Sequence, residues 1–217
     1  MNTLWKERRV FVTGGNGFLG AHVVRMLVDA GAHVTCLVKD MQTTGCFYAD
    51  GIYRRVDSVH GSIEDFDLLF EVLRERQIDT VFHLAAQPIV TEARAEPLST
   101  LRTNVQGTYL FLEAMRRWGK LRSIVVITSD KVYSEVGRSY VESDPLGGFG
   151  IYETSKVCQD VLAQTYARTY GLPIGIARAG NFFGPGDLQW SRIIPGTIKA
   201  LLLGKRPIIR SDGTPIR

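Results

Sequence analysis

The chain has 217 residues, with 26 basic against 22 acidic side chains and a formal net charge of +4. At roughly 150 residues per domain, that length gives one domain and a remainder, with a sizeable core. A hydrophobic share of 45% with 22% charged residues excludes a disordered chain, and apolar runs of only a few residues exclude a membrane span.

The opening, MNTLWKERRVFVTGG, has no apolar stretch of signal-peptide length, which predicts a cytoplasmic protein. Arg9 to Thr13 (RVFVT) is a short apolar strand. Ala21, Val24, Val28 and Val23, Leu27 then recur at helical spacing, and Gly31 marks the stop. His33 to Val38 is a second strand, and the stretch Tyr53 to Val59 holds a third. Asp65 to Gln77 reads as a helix with Phe66, Leu69, Phe70 and Leu73 on its apolar face. Thr80 to Leu84 is a buried strand. Pro97 to Trp118 is a long helix with Leu98, Leu101, Val105, Tyr109 and Leu112 in one stripe. Ser123 to Thr128 is too rich in β-branched residues to favour a helix. A second long helix runs from about Tyr152 to Tyr170, Ile174 to Arg178 is a strand, and Ile193 to Leu203 is a helix. The end, PIIRSDGTPIR, reads as a strand and a loop. Strands alternating with helices predict a doubly wound, parallel α/β domain from Arg9 to about Ala179.

Cys36, Cys46 and Cys158 lack metal-ligand spacing and are odd in number, so they read as reduced thiols and no metal site is expected. Basic residues come as scattered pairs, Arg8-Arg9, Arg54-Arg55 and Arg116-Arg117, without a run of five, which argues against a nucleic-acid partner. The small positive surplus suits an anionic small molecule.

Gly14, Gly17 and Gly20 have the spacing G-x-x-G-x-x-G between the first strand and the first helix. A tight turn, close backbone approach and the N–H groups of a helix start suit a dinucleotide pyrophosphate. Asn16, Phe18 and Leu19 belong to the same loop. The second strand closes with Lys39 and Asp40, twenty residues after Gly20. The acidic residue suits the ribose hydroxyls of NAD and the basic one the 2′-phosphate of NADP; both stay open, with NAD preferred.

Tyr152 and Lys156 are one helical turn apart. An ammonium beside a phenol favours tyrosinate, which makes Tyr152 a candidate base for a sugar hydroxyl while Lys156 holds the nicotinamide ribose. The pair follows a strand that ends in Thr128-Ser129-Asp130.

With these motifs the sequence resembles the extended short-chain dehydrogenase/reductase family, the nucleotide-sugar epimerases and dehydratases. Matching segments are TGGNGFLG at 13–20, HLAAQP at 83–88, NVQGT at 104–108, YETSK at 152–156 and RAGNFFGPGD at 178–187. Ser129-Asp130-Lys131-Val132-Tyr133 is most similar to the CDP-glucose 4,6-dehydratase branch. The resemblance implies a Rossmann fold and a catalytic set of Ser129, Asp130, Lys131, Tyr152 and Lys156. Ser129 would bond the hydroxyl at sugar carbon 4 and Tyr152 would take its proton as hydride leaves for NAD. Asp130 would protonate the departing hydroxyl at carbon 6, with Lys131 assisting at carbon 5.

The resemblance also assigns Ala85, Ala86 and Gln87 to the cofactor, Asn181 and Arg192 to the substrate, and Asn104 to a structural role. His83 is expected to be a satisfied core histidine. Where the family has Gly-Asp-x-x-Asp near the adenine, this chain reads Gly61-Ser62-Ile63-Glu64-Asp65, which leaves Ser62 and Ile63 for that contact. The resemblance implies two domains, 1–179 binding NAD(P) and 180–217 beginning a substrate lobe that is incomplete relative to the family. It predicts exposed apolar surface at Ile193, Ile198 and Leu201, and a homodimer through helices 97–118 and 152–170. Two alternatives stay open: a 4-epimerase or reductase of the same family, and a catalytically silent NAD-binding module.

Overall fold

The computed structural model describes residues 3–40 and 45–209. Strands β1 (Arg9–Thr13), β2 (His33–Val38), β3 (Asp57–His60), β4 (Thr80–His83), β5 (Ser123–Ile127) and β6 (Ile174–Ala177) form one sheet of order β3-β2-β1-β4-β5-β6. All neighbours run parallel, with Val10 opposite Val34 on one side and Thr80 on the other. The order reverses between β1 and β4, so a crevice opens at the carboxyl ends of these two strands. The α/β doubly wound expectation is met.

The helices are α1 (Phe18–Asp29), α2 (Cys46–Ala49), α3 (Phe66–Glu75), α4 (Val90–Ala95), α5 (Pro97–Leu101), α6 (Gly107–Trp118), α7 (Ile151–Tyr170) and α8 (Ile193–Leu202). Alternate side chains of a strand point to opposite faces, and β1 uses both. Phe11 packs with Leu69, Leu73, Phe111, Met115 and Ile124 under α3 and α6. Val10 and Val12 pack with Val24, Leu27, Cys36 and Phe47 under α1 and α2. The two layers explain why the strands read as continuous apolar runs.

Three expectations change. The third strand starts only at Asp57, because Ile52–Arg55 forms a 3₁₀ turn ahead of it. The long helix of 97–118 is interrupted by a π turn at Arg102–Gln106. A π turn carries an extra residue, which rotates everything after it. The expected stripe is only partly buried: Leu112 is buried and Leu101 and Val105 half-buried, but Leu98 is 62% and Tyr109 40% exposed, while Thr100, Asn104, Thr108 and Phe111 are buried instead. Residues 207–209 form no strand, and the rest of the expected terminal strand and loop lies outside the described residues. On α8, Ile193, Ile198 and Leu201 are exposed as anticipated. All three cysteines are free thiols, and burial pushes that of Cys36 up to about 12. Among the described residues, no helix is long and apolar enough to cross a membrane and no side-chain cluster could hold a metal ion.

Candidate active site

A cleft of about 530 Å³ runs along the carboxyl edge of the sheet. Its floor is the turn from β1 into α1. Gly14 takes a left-handed φ of +70°, and a Cβ there would lie 2.8 Å from the Ala85 amide nitrogen. A Cβ at Gly20 would collide with the Gly14 carbonyl. Only glycine lets the two chain segments and the helix start approach this closely. No side chain caps α1 at Gly17, so the first-turn N–H groups and the helix dipole are left to an anion. The cradle fits a pyrophosphate.

Asn16, Phe18, Leu19, Lys39, Asp40, Ser62, Ile63, Ala85 and Ala86 line the cleft with these glycines. Asn16 donates to the Asp40 carbonyl at 2.8 Å, which fixes the loop against the end of β2. The Ser62 hydroxyl accepts from the Glu64 N–H at 3.2 Å. Gln87 does not line the cleft. Its Oε1 accepts from the Ile89 N–H at 2.6 Å and its Nε2 donates to the Ile89 carbonyl, so the side chain closes its own loop. Asn104 holds the same loop, accepting from the Gln87 N–H at 2.8 Å and donating to the Gln87 carbonyl and to Ser155 Oγ.

Ser129, Asp130, Lys131, Tyr152, Lys156, Asn181 and Arg192 meet on the other side of the cleft. Ser129 and Asp130 stand just beyond β5 and are buried, and the Ser129 hydroxyl donates to Asp130 Oδ1 at 3.1 Å. Lys131 pairs with Glu153 at 3.3 Å, and Arg192 with the buried Asp187, also at 3.3 Å. The start of α7 supplies Tyr152 and Lys156 on one face, both buried.

Burial dominates the electrostatics of this pair. Burial pushes the Tyr152 phenol above its ordinary value; the Ser129 hydroxyl works against that rise, Asp130 and Glu153 add to it, and Arg192 opposes it. The Lys156 ammonium donates to the Ile127 carbonyl at 3.2 Å and to Gln159 Oε1 at 2.6 Å. The ammonium is thus bound to two carbonyl oxygens, and burial, not a neighbouring cation, is the leading influence on the phenol. Burial lowers Lys156 itself to about 7. His83 is the satisfied core histidine expected, with Nδ1 2.9 Å from Thr13 Oγ1 and Nε2 3.2 Å from Thr108 Oγ1. Burial, then the nearby Lys156 charge, lower it to about 3.

Gln159 escaped the sequence reading, although it lies three residues after Lys156 on the same helix face. Behind it, Asp160 is wholly buried and takes two hydrogen bonds from Arg178, at 2.8 and 2.9 Å. Burial opposes its charge, yet Arg178, Gln164 and Thr128 hold the carboxyl below its ordinary value.

Comparison with known proteins follows the same lines. CDP-glucose 4,6-dehydratase of Salmonella typhimurium is 35% identical over 219 residues, covering 95% of this chain and 61% of that protein. A dTDP-glucose 4,6-dehydratase from Streptomyces venezuelae, solved with NAD bound, superposes with a TM-score of 0.83 at 34% identity, covering 94% of this chain and 65% of the other. A UDP-glucose 4-epimerase from Thermotoga maritima, solved with UDP-glucose, gives 0.84 at 25% identity over 94% of this chain and 66% of the other. The chain thus spans less than two thirds of the length of these relatives. Residues 10–217 match the NAD dependent epimerase/dehydratase family, and the chain belongs to that family.

Proposed function

We propose that this chain carries the cofactor domain and first substrate-side residues of a nucleotide-sugar 4,6-dehydratase working with NAD. The observation that carries the reading is a buried carboxyl, Asp130, in the same cleft as Ser129, Tyr152 and Lys156. A 4-epimerase needs a base and a ribose anchor but no acid for a leaving hydroxyl. Likeness to the Thermotoga maritima 4-epimerase keeps that second reading alive, and Asp130 separates the two.

Residues 1–179 hold the cofactor: Gly14, Gly17 and Gly20 with the α1 N-terminus take the pyrophosphate, Lys39 and Asp40 face the adenosine ribose, and Ser62 and Ile63 lie toward the adenine. Bound NAD supplies the hydride acceptor, and its positive nicotinamide favours tyrosinate. Ser129 donates to the oxygen at sugar carbon 4 and Tyr152 removes its proton. The ketone so formed acidifies carbon 5, where Lys131, held by Glu153, assists proton loss. Asp130 gives its proton to the hydroxyl leaving carbon 6 as water. Return of the hydride to carbon 6 and of a proton to carbon 5, with the Tyr152 proton replacing the one given by Asp130, would complete a reaction whose net change is loss of one water. Asn181 and Arg192, in the 180–217 segment, take the substrate, with the guanidinium placed for a phosphate.

The same reading includes a cytoplasmic location, supported by the three free thiols, and a homodimer through 97–118 and 152–170. Incubation of the chain with NAD and a panel of CDP-, dTDP-, GDP- and UDP-hexoses, followed by mass spectrometry, tests the assignment. The expected product is lighter by one water from one donor and vanishes with Asp130→Asn. Epimerised sugar of unchanged mass, or no product despite NAD binding, overturns the dehydratase reading for this chain.

A further inference from the structure

A chain of buried hydrogen bonds leads from Lys156 to the strand that carries the glycine loop. Lys156, Gln159, Thr108, His83 and Thr13 are each no more than 3% exposed. Lys156 Nζ donates to Gln159 Oε1 at 2.6 Å, and Gln159 Nε2 donates to Thr108 Oγ1 at 3.0 Å. The Thr108 hydroxyl spends its only proton on the Asn104 carbonyl at 2.7 Å. Toward His83 it is therefore an acceptor, and Nε2, 3.2 Å away, carries the ring proton. Nδ1 is then bare, and the Thr13 hydroxyl donates to it at 2.9 Å. The Thr13 oxygen in turn accepts the N–H groups of Leu84 and Ala85, both at 3.2 Å. Every donor finds an acceptor along this route.

The sequence of donors admits one orientation of the Gln159 amide. Turned over, its NH₂ would face the ammonium, and its carbonyl would face a Thr108 oxygen with no proton left to give. Among the described residues, no side-chain carboxylate bonds Lys156 Nζ. The Ile127 carbonyl on β5 and neutral His83 on β4 lie close to it, and Tyr152 and Asp160 stand one turn to either side of it on α7. Asp160 is bound by Arg178, and Glu153 by Lys131. A buried cation held only by carbonyl dipoles depends strongly on each of them.

The geometry points to Gln159 as the positioning residue of Lys156: locked by Thr108 and His83, its carbonyl fixes the ammonium and leaves the remaining N–H for the ribose of the cofactor. The ribose contact rests on the function proposed above; the clamp itself does not. Heteronuclear NMR of the lysine side chains in the full chain, without cofactor, follows the titration of Lys156, assigned by its loss in Lys156→Arg. Wild type is expected to titrate well below an ordinary lysine, near the value of about 7 to which burial lowers it. Gln159→Glu, which puts a carboxylate on the ammonium, is expected to raise that midpoint by about 1–3 pH units, and Gln159→Met to lower it further. Calorimetry with NAD is expected to show affinity about tenfold weaker in Gln159→Met and nearly unchanged in Gln159→Glu. The pH at which binding declines should move with the NMR midpoint. An unmoved Lys156 midpoint in Gln159→Glu overturns the inference, and the near-isosteric Glu variant decides alone if the Met variant does not fold. Absence of NAD binding to the wild-type chain overturns the cofactor reading and leaves the NMR result to judge the clamp.

Discussion

His83 shows how a residue that reads as unremarkable in sequence becomes a determinant of pH response. Flanked by Phe82 and Leu84, it was assignable to the core, but its two hydroxyl partners come from β1 and α6. Burial, reinforced by the Lys156 charge, lowers its pKa from 6.5 to about 3. Between these values the unfolded chain binds a proton that the folded chain refuses. Its contribution to stability is thus complete above 6.5 and is lost as pH falls toward 3, with a slope of about 1.4 kcal/mol per pH unit. Urea unfolding from about pH 6 to pH 4 should show a shallower acid decline in His83→Gln by nearly that slope. Equal slopes in the two proteins would contradict a neutral, buried imidazole. Tyr152, Lys156 and Asp130 were legible because their order along the chain repeats a local pattern. Gln159 was not, because the groups that give it meaning, Lys156 apart, are remote: Thr108 stands 51 residues away and accepts its amide proton.

Among the elements, the π turn at Arg102–Gln106 shifts the register between the two halves of the 97–118 helix. A strict helical period predicts one stripe through Leu98, Leu101, Val105, Tyr109 and Leu112, but Leu98 and Tyr109 are exposed and only Leu112 is fully buried. Asn104, wholly buried within the π turn, makes three hydrogen bonds to Gln87 and Ser155, tying the cleft loop to α7. Asn104→Ala leaves the Gln87 N–H and carbonyl without these partners, and we expect a loss of about 2–4 kcal/mol. A lower urea midpoint at unchanged m-value would register it, and an unchanged midpoint would show that water or a shifted loop replaces the amide. α3 needed no such outside help. Its Asp65 cap accepts from the Leu68 N–H at 3.1 Å, and Leu69 and Leu73 are buried as their spacing demanded.

For the whole molecule, the exposed apolar residues outside α8 bear on assembly. Leu98 and Tyr109 on the 97–118 helix, and Val161 and Tyr170 on α7, are each at least 40% exposed. If the dimer forms through these helices, sedimentation at micromolar concentration should give twice the chain mass, and Leu98→Glu with Val161→Glu should reduce it to one. A wild-type monomer would remove the dimer from the proposal. The sequence by itself determined the layered α/β class, the glycine cradle and the Tyr152–Lys156 spacing, because each is written in neighbouring residues with a fixed period or a steric demand. Only the tertiary structure decided that Lys156 donates to Gln159 and to the Ile127 carbonyl, that Gln87 bonds within its own loop, and that Asp130 is buried beside Ser129. Those outcomes depend on groups far apart in the chain that the parallel sheet brings to one edge, where burial raises the cost of every unpaired proton and charge.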